Sequence, residues 1–428
     1  MDLLLFMSRP LLCRLRIHNS EDGKSLCPAS VSRRNGRFHL RLLMHCALVV
    51  LSLGLLASCT GARRYVAVTG YAQGGTYTVK FNSAGVRVSR DRVSAAIDSI
   101  LTLVDTTLSG YNKSSQLSRF NAGETIVPNQ LFCDIYAFCR DVWTETGGCV
   151  DVAAGPLFDI WGFGFSTDSL PSDDRVREVL ASCGMSRLRG DITPGAPVNS
   201  RSLLLPVASP SGFSVSLSGS SASPVIRSAK PVIQSAAKTL PSASSDVFRP
   251  WEPSPALLNF NAVAQGYTCD LVADYLRSIG VTDMLVDIGE IYCAGRNPAG
   301  RDWSIGVDRP VDGNDTPGAD LDGIWVSSGR SCGIVTSGNY RKYYVRDGRK
   351  YAHTIDPRTG YPVEHTLLSA TIVAPSAAEA DALATYCMVL GFEEARAFIE
   401  SRPDIEGYLI RDLDGSMSEW ASPGFTLR

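Results

Sequence analysis

Two stretches in the C-terminal half of this 428-residue chain hold reactive side chains at informative spacing. In Tyr351-Ala352-His353-Thr354-Ile355-Asp356-Pro357-Arg358-Thr359-Gly360 a histidine stands just ahead of an Asp-Pro and Thr-Gly turn signal. It is expected at the end of a strand entering a tight loop, a place where a rigid base often presents a functional group. The histidine either acts chemically or merely ties the turn by hydrogen bonds, and the local sequence leaves both roles open.

The second stretch carries Asp381 and Thr385, four residues apart and therefore on one helix face. A carboxylate and a hydroxyl are hard oxygen donors suited to magnesium, which takes a few protein oxygens and keeps places for phosphate and water. Taken alone the pair reads equally as an acidic residue favouring a helix N-terminal turn and a threonine bonding back to the carbonyl one turn earlier.

Absences narrow the chemistry. The chain has no Gly-x-Gly-x-x-Gly, no phosphate-binding Gly-x-x-x-x-Gly-Lys-Ser/Thr and no His-Glu-x-x-His. Beyond Cys59 only His353 and His365 remain, so a histidine base has two candidates. Twelve cysteines at irregular spacing, none in a Cys-x-x-Cys pair, give zinc no support, and the eight that follow Cys59 read as buried free thiols. A net charge of -2 speaks against a dedicated nucleic-acid binder.

The elements that must position these groups alternate between strand and helix. Tyr77 to Phe81 alternates as a strand, Val93 to Leu108 and Asp134 to Thr144 carry helical apolar spacing, and Tyr267 to Ile279 is a helix stopped by Gly280. Met284 to Ile288, Trp303 to Val307 and Leu368 to Ala374 read as further strands. Ser376-Ala377-Ala378-Glu379 has the capping-box form, opening a helix that should stop at Gly391. Phe260 to Asp270 sets small residues where a strand should give way to a helix, and Thr336-Ser337-Gly338-Asn339-Tyr340 reads as a small polar turn. Interleaved elements with several hairpin candidates predict an α+β fold and not a doubly wound sheet.

From Gly190 to about Pro255 the composition turns to Ser, Pro, Ala and small apolar residues. Such a stretch far exceeds the about 12–15 residues at which loops become unusual, and is expected to be a disordered insertion within one domain. The expected organisation is an export segment over 1–59, a domain over 66–189 and 257–428, and the insertion over 190–256.

Export is read from Arg33, Arg34, Arg37 and Arg41, the apolar run Ala47 to Leu56, and the small-residue ending Leu56-Ala57-Ser58-Cys59. The run is too short to span a bilayer stably. The ending resembles a bacterial lipobox, in which Cys59 would be lipidated and hold the protein to the cell-envelope membrane, facing the periplasm. Residues before Arg33 fit no part of this pattern, and Met44 is an alternative start.

In order along the chain, seven segments resemble the FAD:protein FMN transferase family, the ApbE type. They are Gly75-Thr76-Tyr77; Leu108 to Tyr111 with Ser118 to Asn121; Val150-Asp151 with Gly155-Pro156-Leu157 and Trp161-Gly162-Phe163; Ala262 to Asp270; Thr336-Ser337-Gly338; His353 to Gly360; and Ala380 to Thr385. The resemblance implies a single T-fold-like domain of mixed, largely antiparallel sheets with helices.

It also implies a reaction. Magnesium, held by the Ala262 carbonyl, the Asp381 carboxylate and the Thr385 hydroxyl, would bind the pyrophosphate of FAD, whose FMN half passes to a Thr or Ser of a client flavoprotein with release of AMP. By matching positions, Gly74, Tyr111, Cys149, Val150, Asp151, Asn259, Gln265 and Ile355 would contact the flavin and adenine, and His353 is the candidate base. The family implies clients among membrane redox pumps and exported flavoproteins. This chain departs from the family in having Asn259 where Asp is usual and Gln265 where Lys or Glu is usual, each exchanging a charge for an amide. Two competing readings use the same residues: a magnesium-dependent FAD pyrophosphatase, and a flavin-binding lipoprotein without turnover.

Overall fold

The computed structural model describes residues 64–163, 170–188, 190–199, 258–314, 316–340, 343–346 and 349–428. The export segment, Cys59 and most of the Ser/Pro-rich stretch lie outside the described residues. In chain order the elements are β1 (Tyr65–Ala72), β2 (Gly75–Asn82), α1 (Arg90–Leu108), α2 (Gln116–Asn121), α3 (Gln130–Glu145), α4 (Gly155–Ile160) and α5 (Asp173–Ser182). After the gap come α6 (Ala264–Ser278), β3 (Met284–Asp287), β4 (Ile291–Ala294), β5 (Ser304–Asp308), β6 (Leu321–Val326) and β7 (Cys332–Gly338). The chain continues through β8 (Tyr343–Arg346), β9 (Arg349–Ala352), β10 (Ile355–Asp356), β11 (Tyr361–Pro362) and β12 (Leu367–Ala374). It closes with α7 (Ala377–Leu390), α8 (Phe392–Ser401), β13 (Glu406–Leu413) and β14 (Ser416–Ala421).

The expected α+β class holds. Eight strands form one antiparallel sheet in the order β1-β2-β3-β4-β7-β12-β13-β14. Strand β12 sits between β7 and β13 and shows why both faces of the sheet are covered. Its Ala370, Ile372 and Ala374 pack with α7 and α8, whereas Val373 joins Trp303, Ile305 and Trp325 of the β5–β6 side. That period of two is the strand signature, and burial on both faces makes β12 read as a nearly continuous apolar run. Helix α7 is buried on almost all sides, as its Ala-rich sequence permits.

Three expectations change in detail. Thr336, Ser337 and Gly338 end a central strand and do not form a turn, because all three pair with β12 and Thr336 shares a 2.8 Å hydroxyl bond with Thr371 of that strand. That pairing overrides the turn preference of Ser and Gly. Phe260 does not end a strand. Instead Asn121 brackets Leu258, its Nδ2 donating to the Leu258 carbonyl at 2.8 Å and its Oδ1 accepting the Leu258 N–H at 2.9 Å. Finally, residues 190–199 belong to the fold: Val198 pairs with Ile126, Gly195 donates to the Pro128 carbonyl, and Ile192 is buried. All eight cysteines after Cys59 are free and buried.

Candidate active site

The site is built around the start of α7, where the N–H groups of Ala377, Ala378 and Glu379 are capped by side chains and that of Ala380 opens the helix ladder. Ala377 and Ala378 donate to the two carboxylate oxygens of Asp270, each at 2.9 Å, Glu379 to the Ser376 hydroxyl at 3.1 Å, and Ala380 to the Ser376 carbonyl at 3.1 Å. Asp270 lies on α6, so this cap also fastens two helices. The approach is close enough to require glycine. A Cβ on Gly266 of α6 would fall 2.3 Å from the Ala377 carbonyl oxygen, and one on Gly333 of β7 would fall 2.3 Å from the Ala377 Cα.

Asp381, one turn further along α7, is buried and accepts the Gly266 N–H at 3.1 Å on its Oδ2. In a regular helix that N–H would go to the carbonyl four residues back, which is Ala262. Here the Ala262 carbonyl receives no hydrogen bond among the described residues. The half-buried Thr385 hydroxyl likewise forms none, the bond back to the Asp381 carbonyl included. Burial pushes the Asp381 carboxyl up to about 8, with Asp270 raising it further and the Gly266 N–H opposing. Burial takes Asp270 up to about 7 against the two N–H groups it accepts. Asp381 forms no ion pair among the described residues, so holding it ionised near neutral pH calls for a cation from outside.

Among the described residues no three His, Cys, Asp or Glu side chains gather as a metal group. The set here is one carboxylate, one hydroxyl and one backbone carbonyl. All are hard oxygens, the carboxylate engaged among the described residues only by the Gly266 N–H, and that donor chemistry fits magnesium and not a soft metal.

The β1–β2 turn docks beside this set. Gln73 and Gly74 have φ of 50° and 83°, the two-residue turn whose twist suits a hairpin. Gln73 donates to the Thr268 hydroxyl at 2.6 Å, and Thr268 donates on to the Ala264 carbonyl at 2.6 Å, so Gly74 is held at the first turns of α6. Gln265 lies over the β3–β4 turn, its Nε2 2.5 Å from where a Gly289 Cβ would stand. Asn259 donates its N–H to the Val152 carbonyl at 2.7 Å, while its Oδ1 accepts from the Asn261 N–H at 2.9 Å.

That Val152 bond ties in the loop of Cys149, Val150 and Asp151. The Asp151 carboxylate is engaged in holding the loop, accepting from the Ala153 N–H at 2.8 Å and the Met185 N–H at 2.9 Å, and burial raises its carboxyl. Val150 is buried, its N–H bonded to the Thr146 hydroxyl at 3.2 Å. Burial pushes the Cys149 thiol up to about 11, and the nearby Arg358 draws it down. Tyr111, in contrast, is 79 % exposed.

His353 follows β9, as expected, in the bend between β9 and β10. Its half-buried ring meets Phe163 edge to face, with centroids 6.4 Å apart. The turn after it is braced by other residues. Asp356 takes the Arg358 N–H and guanidinium, its carbonyl accepts the Gly360 N–H at 2.8 Å, and Trp161 donates to the Gly360 carbonyl at 2.7 Å. Thr354 donates to Asn339 Oδ1 at 2.7 Å, tying the loop to the end of β7. Ile355 is buried against Leu157 and Trp161. Arg358 lies within electrostatic range of Cys149 and of Tyr386, the neighbour of Thr385 on α7. Two groups thus emerge: Gly74, Asn259, Ala262, Gln265, Asp381 and Thr385 around the start of α6, and Cys149, Val150, Asp151, His353 and Ile355 around the Asp356 turn.

Sequence reasoning gave no role to Asp270, Gly266 or Arg358. A lone acid between Cys269 and Leu271 in an apolar stretch was the available signal for the first. His365, the other histidine, bonds the Met388 carbonyl through Nε2 at 2.8 Å near the end of α7, a structural place.

The relatives of this chain are enzymes of one class. It is 27% identical over 378 residues to the FAD:protein FMN transferase of Haemophilus influenzae, covering 86% of this chain and 93% of that one. It is 30% identical over 327 residues to the FAD:protein FMN transferase of Escherichia coli K12, covering 75% and 77%. Among solved structures it matches the flavin transferase ApbE from Vibrio cholerae with a TM-score of 0.62 and 26% identity, over 84% of this chain and 98% of that one. Fold and relatives together define a transferase. The ApbE family matches residues 73–409, and the chain belongs to that family.

Proposed function

We propose that this protein is a magnesium-dependent FAD:protein FMN transferase, cleaving FAD, releasing AMP and attaching FMN through a phosphoester to a Thr or Ser of a client flavoprotein. The observation that carries this is the diversion of the Gly266 N–H to Asp381, which frees the Ala262 carbonyl at the entry to α6 as an oxygen donor to join the Asp381 carboxylate and Thr385 hydroxyl of α7. Magnesium bound there would supply positive charge for the phosphoryl group in transfer and for the departing AMP. The rest falls to the chain's own residues. Tyr111 offers a ring for stacking, Gly74, Asn259 and Gln265 bind nucleotide beside the oxygen set, and Cys149, Val150, Asp151 and Ile355 line the flavin side through backbone and apolar surface. His353 receives the proton of the acceptor hydroxyl.

Mass spectrometry of a Thr/Ser-containing client peptide incubated with enzyme, FAD and magnesium tests the reaction. A gain of one FMN unit is the expected result. AMP and free FMN with an unmodified peptide would make the protein a pyrophosphatase, and no AMP at all would make it a flavin binder. We also propose export and lipid anchoring at Cys59, with clients in the envelope. Membrane fractions should hold the wild type and lose the Cys59→Ala variant, and a wild type found in the cytosol would remove this part.

A further inference from the structure

Cys293 of β4 and Cys332 of β7 stand opposite each other in the register of two adjacent antiparallel strands. Both are free, with exposures of 0% and 4%, and their side chains enter the core formed with Trp303, Trp325 and Tyr408. Each thiol is the chief electrostatic neighbour of the other. Opposed residues in such a pair have Cα atoms about 4.5–5.5 Å apart, inside the about 4.4–6.8 Å that a disulfide spans. Their Cβ atoms, about 4.5–5.5 Å apart, must close to about 3.5–4.5 Å, so bridging draws the strands together by up to about 1 Å. A bond made under that demand belongs to the readily reduced kind.

The two sulfurs are not equivalent. The facing Cys293 holds the Cys332 thiol below the usual thiol range, with help from the Arg330 guanidinium. The facing Cys332, and burial, push Cys293 up. Arg330 is itself fixed by two bonds to Glu406. Cys332 also begins its strand, directly after the exposed Ser331, where fraying of the strand end admits a small reagent.

We propose that Cys293 and Cys332 form a redox-active dithiol that closes to a cross-strand disulfide by exchange with a small-molecule disulfide. Cys332, as thiolate, attacks one sulfur of the reagent and releases its other half as a thiol. Cys293 then gives up its proton to solvent and attacks the Cys332 sulfur, releasing the second thiol. Two protein thiols are oxidised and one external disulfide is reduced to two thiols. The new bond ties β4 to β7 one residue from Gly333, which packs against the start of α7.

The test uses the whole folded protein, treated with oxidised glutathione, freed of reagent, unfolded in N-ethylmaleimide and digested with trypsin without reductant. Peptides 278–296 and 331–341 should appear joined, and should separate on reduction. The oxidised protein should also unfold at higher denaturant. In Cys293→Ser, which removes the resolving sulfur, Cys332 should instead retain glutathione. Finding both peptides alkylated as free thiols in the treated wild type, or glutathione left on Cys332 with no joined peptide, would overturn the proposal.

Discussion

Asp381 takes the backbone N–H of Gly266 across a helix interface at 3.1 Å, and by doing so removes the bond that the Ala262 carbonyl would otherwise receive. One contact therefore packs two helices and frees an oxygen. Among the described residues no cation stands beside the buried Asp381 and the Thr385 hydroxyl on the same face forms no bond, which completes the arrangement.

Gly266→Ala tests the packing half of that relationship. The added methyl would meet the Ala377 carbonyl at 2.3 Å, so α6 must shift away from α7. A loss of about 1–3 kcal/mol is expected, with lower magnesium-dependent FAD binding because the shift moves Ala262 from Asp381. Urea unfolding and FAD titration measured together check it, and a variant unchanged in both would refute the close-packing account.

Asp270→Ala should act on stability first. It leaves the Ala377 and Ala378 N–H groups unpaired, at about 1–3 kcal/mol for each buried donor. Added magnesium should not restore the urea midpoint. A midpoint equal to wild type would show that water or another acceptor replaces the cap.

His353→Ala separates base from brace. The Asp356 turn is already held by Arg358, Gly360 and Trp161, so the variant should keep its thermal midpoint and bind FAD and magnesium. Transfer should fall by roughly 10²–10⁴-fold, without rescue by magnesium and with a smaller deficit at higher pH. Normal binding with wild-type single-turnover transfer would take the histidine out of the mechanism.

Acid should weaken the fold through His365. Burial lowers its pKa, while its Nε2 holds the Met388 carbonyl near the end of α7. The unfolded chain therefore binds the proton more readily. Stability from this group is complete above about pH 6.5 and is lost as pH falls through the lower folded value. Between pH 7.5 and 5.5 the wild type should lose more of its urea midpoint than His365→Gln, which cannot titrate. Equal losses would assign the acid sensitivity elsewhere.

Much of the frame was legible because local signals agreed with tertiary demand. The Ser376 cap, the Gly391 stop and the period of two in β2 each appear where expected, although the Glu379 carboxylate goes to Arg402 and does not complete a capping box. What stayed hidden depended on distant partners. Thr336 to Gly338 reads as a turn until β12 is known to pair with it, and nothing near Leu258 foretells that Asn121 will bond its backbone. The same holds for the site. Asp381 and Thr385 follow from helical spacing, whereas the freed Ala262 carbonyl follows only from where the Gly266 N–H goes.

The central claim is that Asp381 anchors the magnesium used on FAD, and calorimetric FAD binding across a magnesium series, for wild type and Asp381→Ala, tests it most directly. Losing a supporting partner of a metal ligand typically costs about 10–100-fold in affinity, so losing this anionic ligand should raise the magnesium requirement by about 10²-fold or more. FMN transfer should fall with it and recover in part at high magnesium. Asp381→Ala protein that binds FAD with the wild-type magnesium dependence and transfers FMN at the wild-type rate would contradict the account.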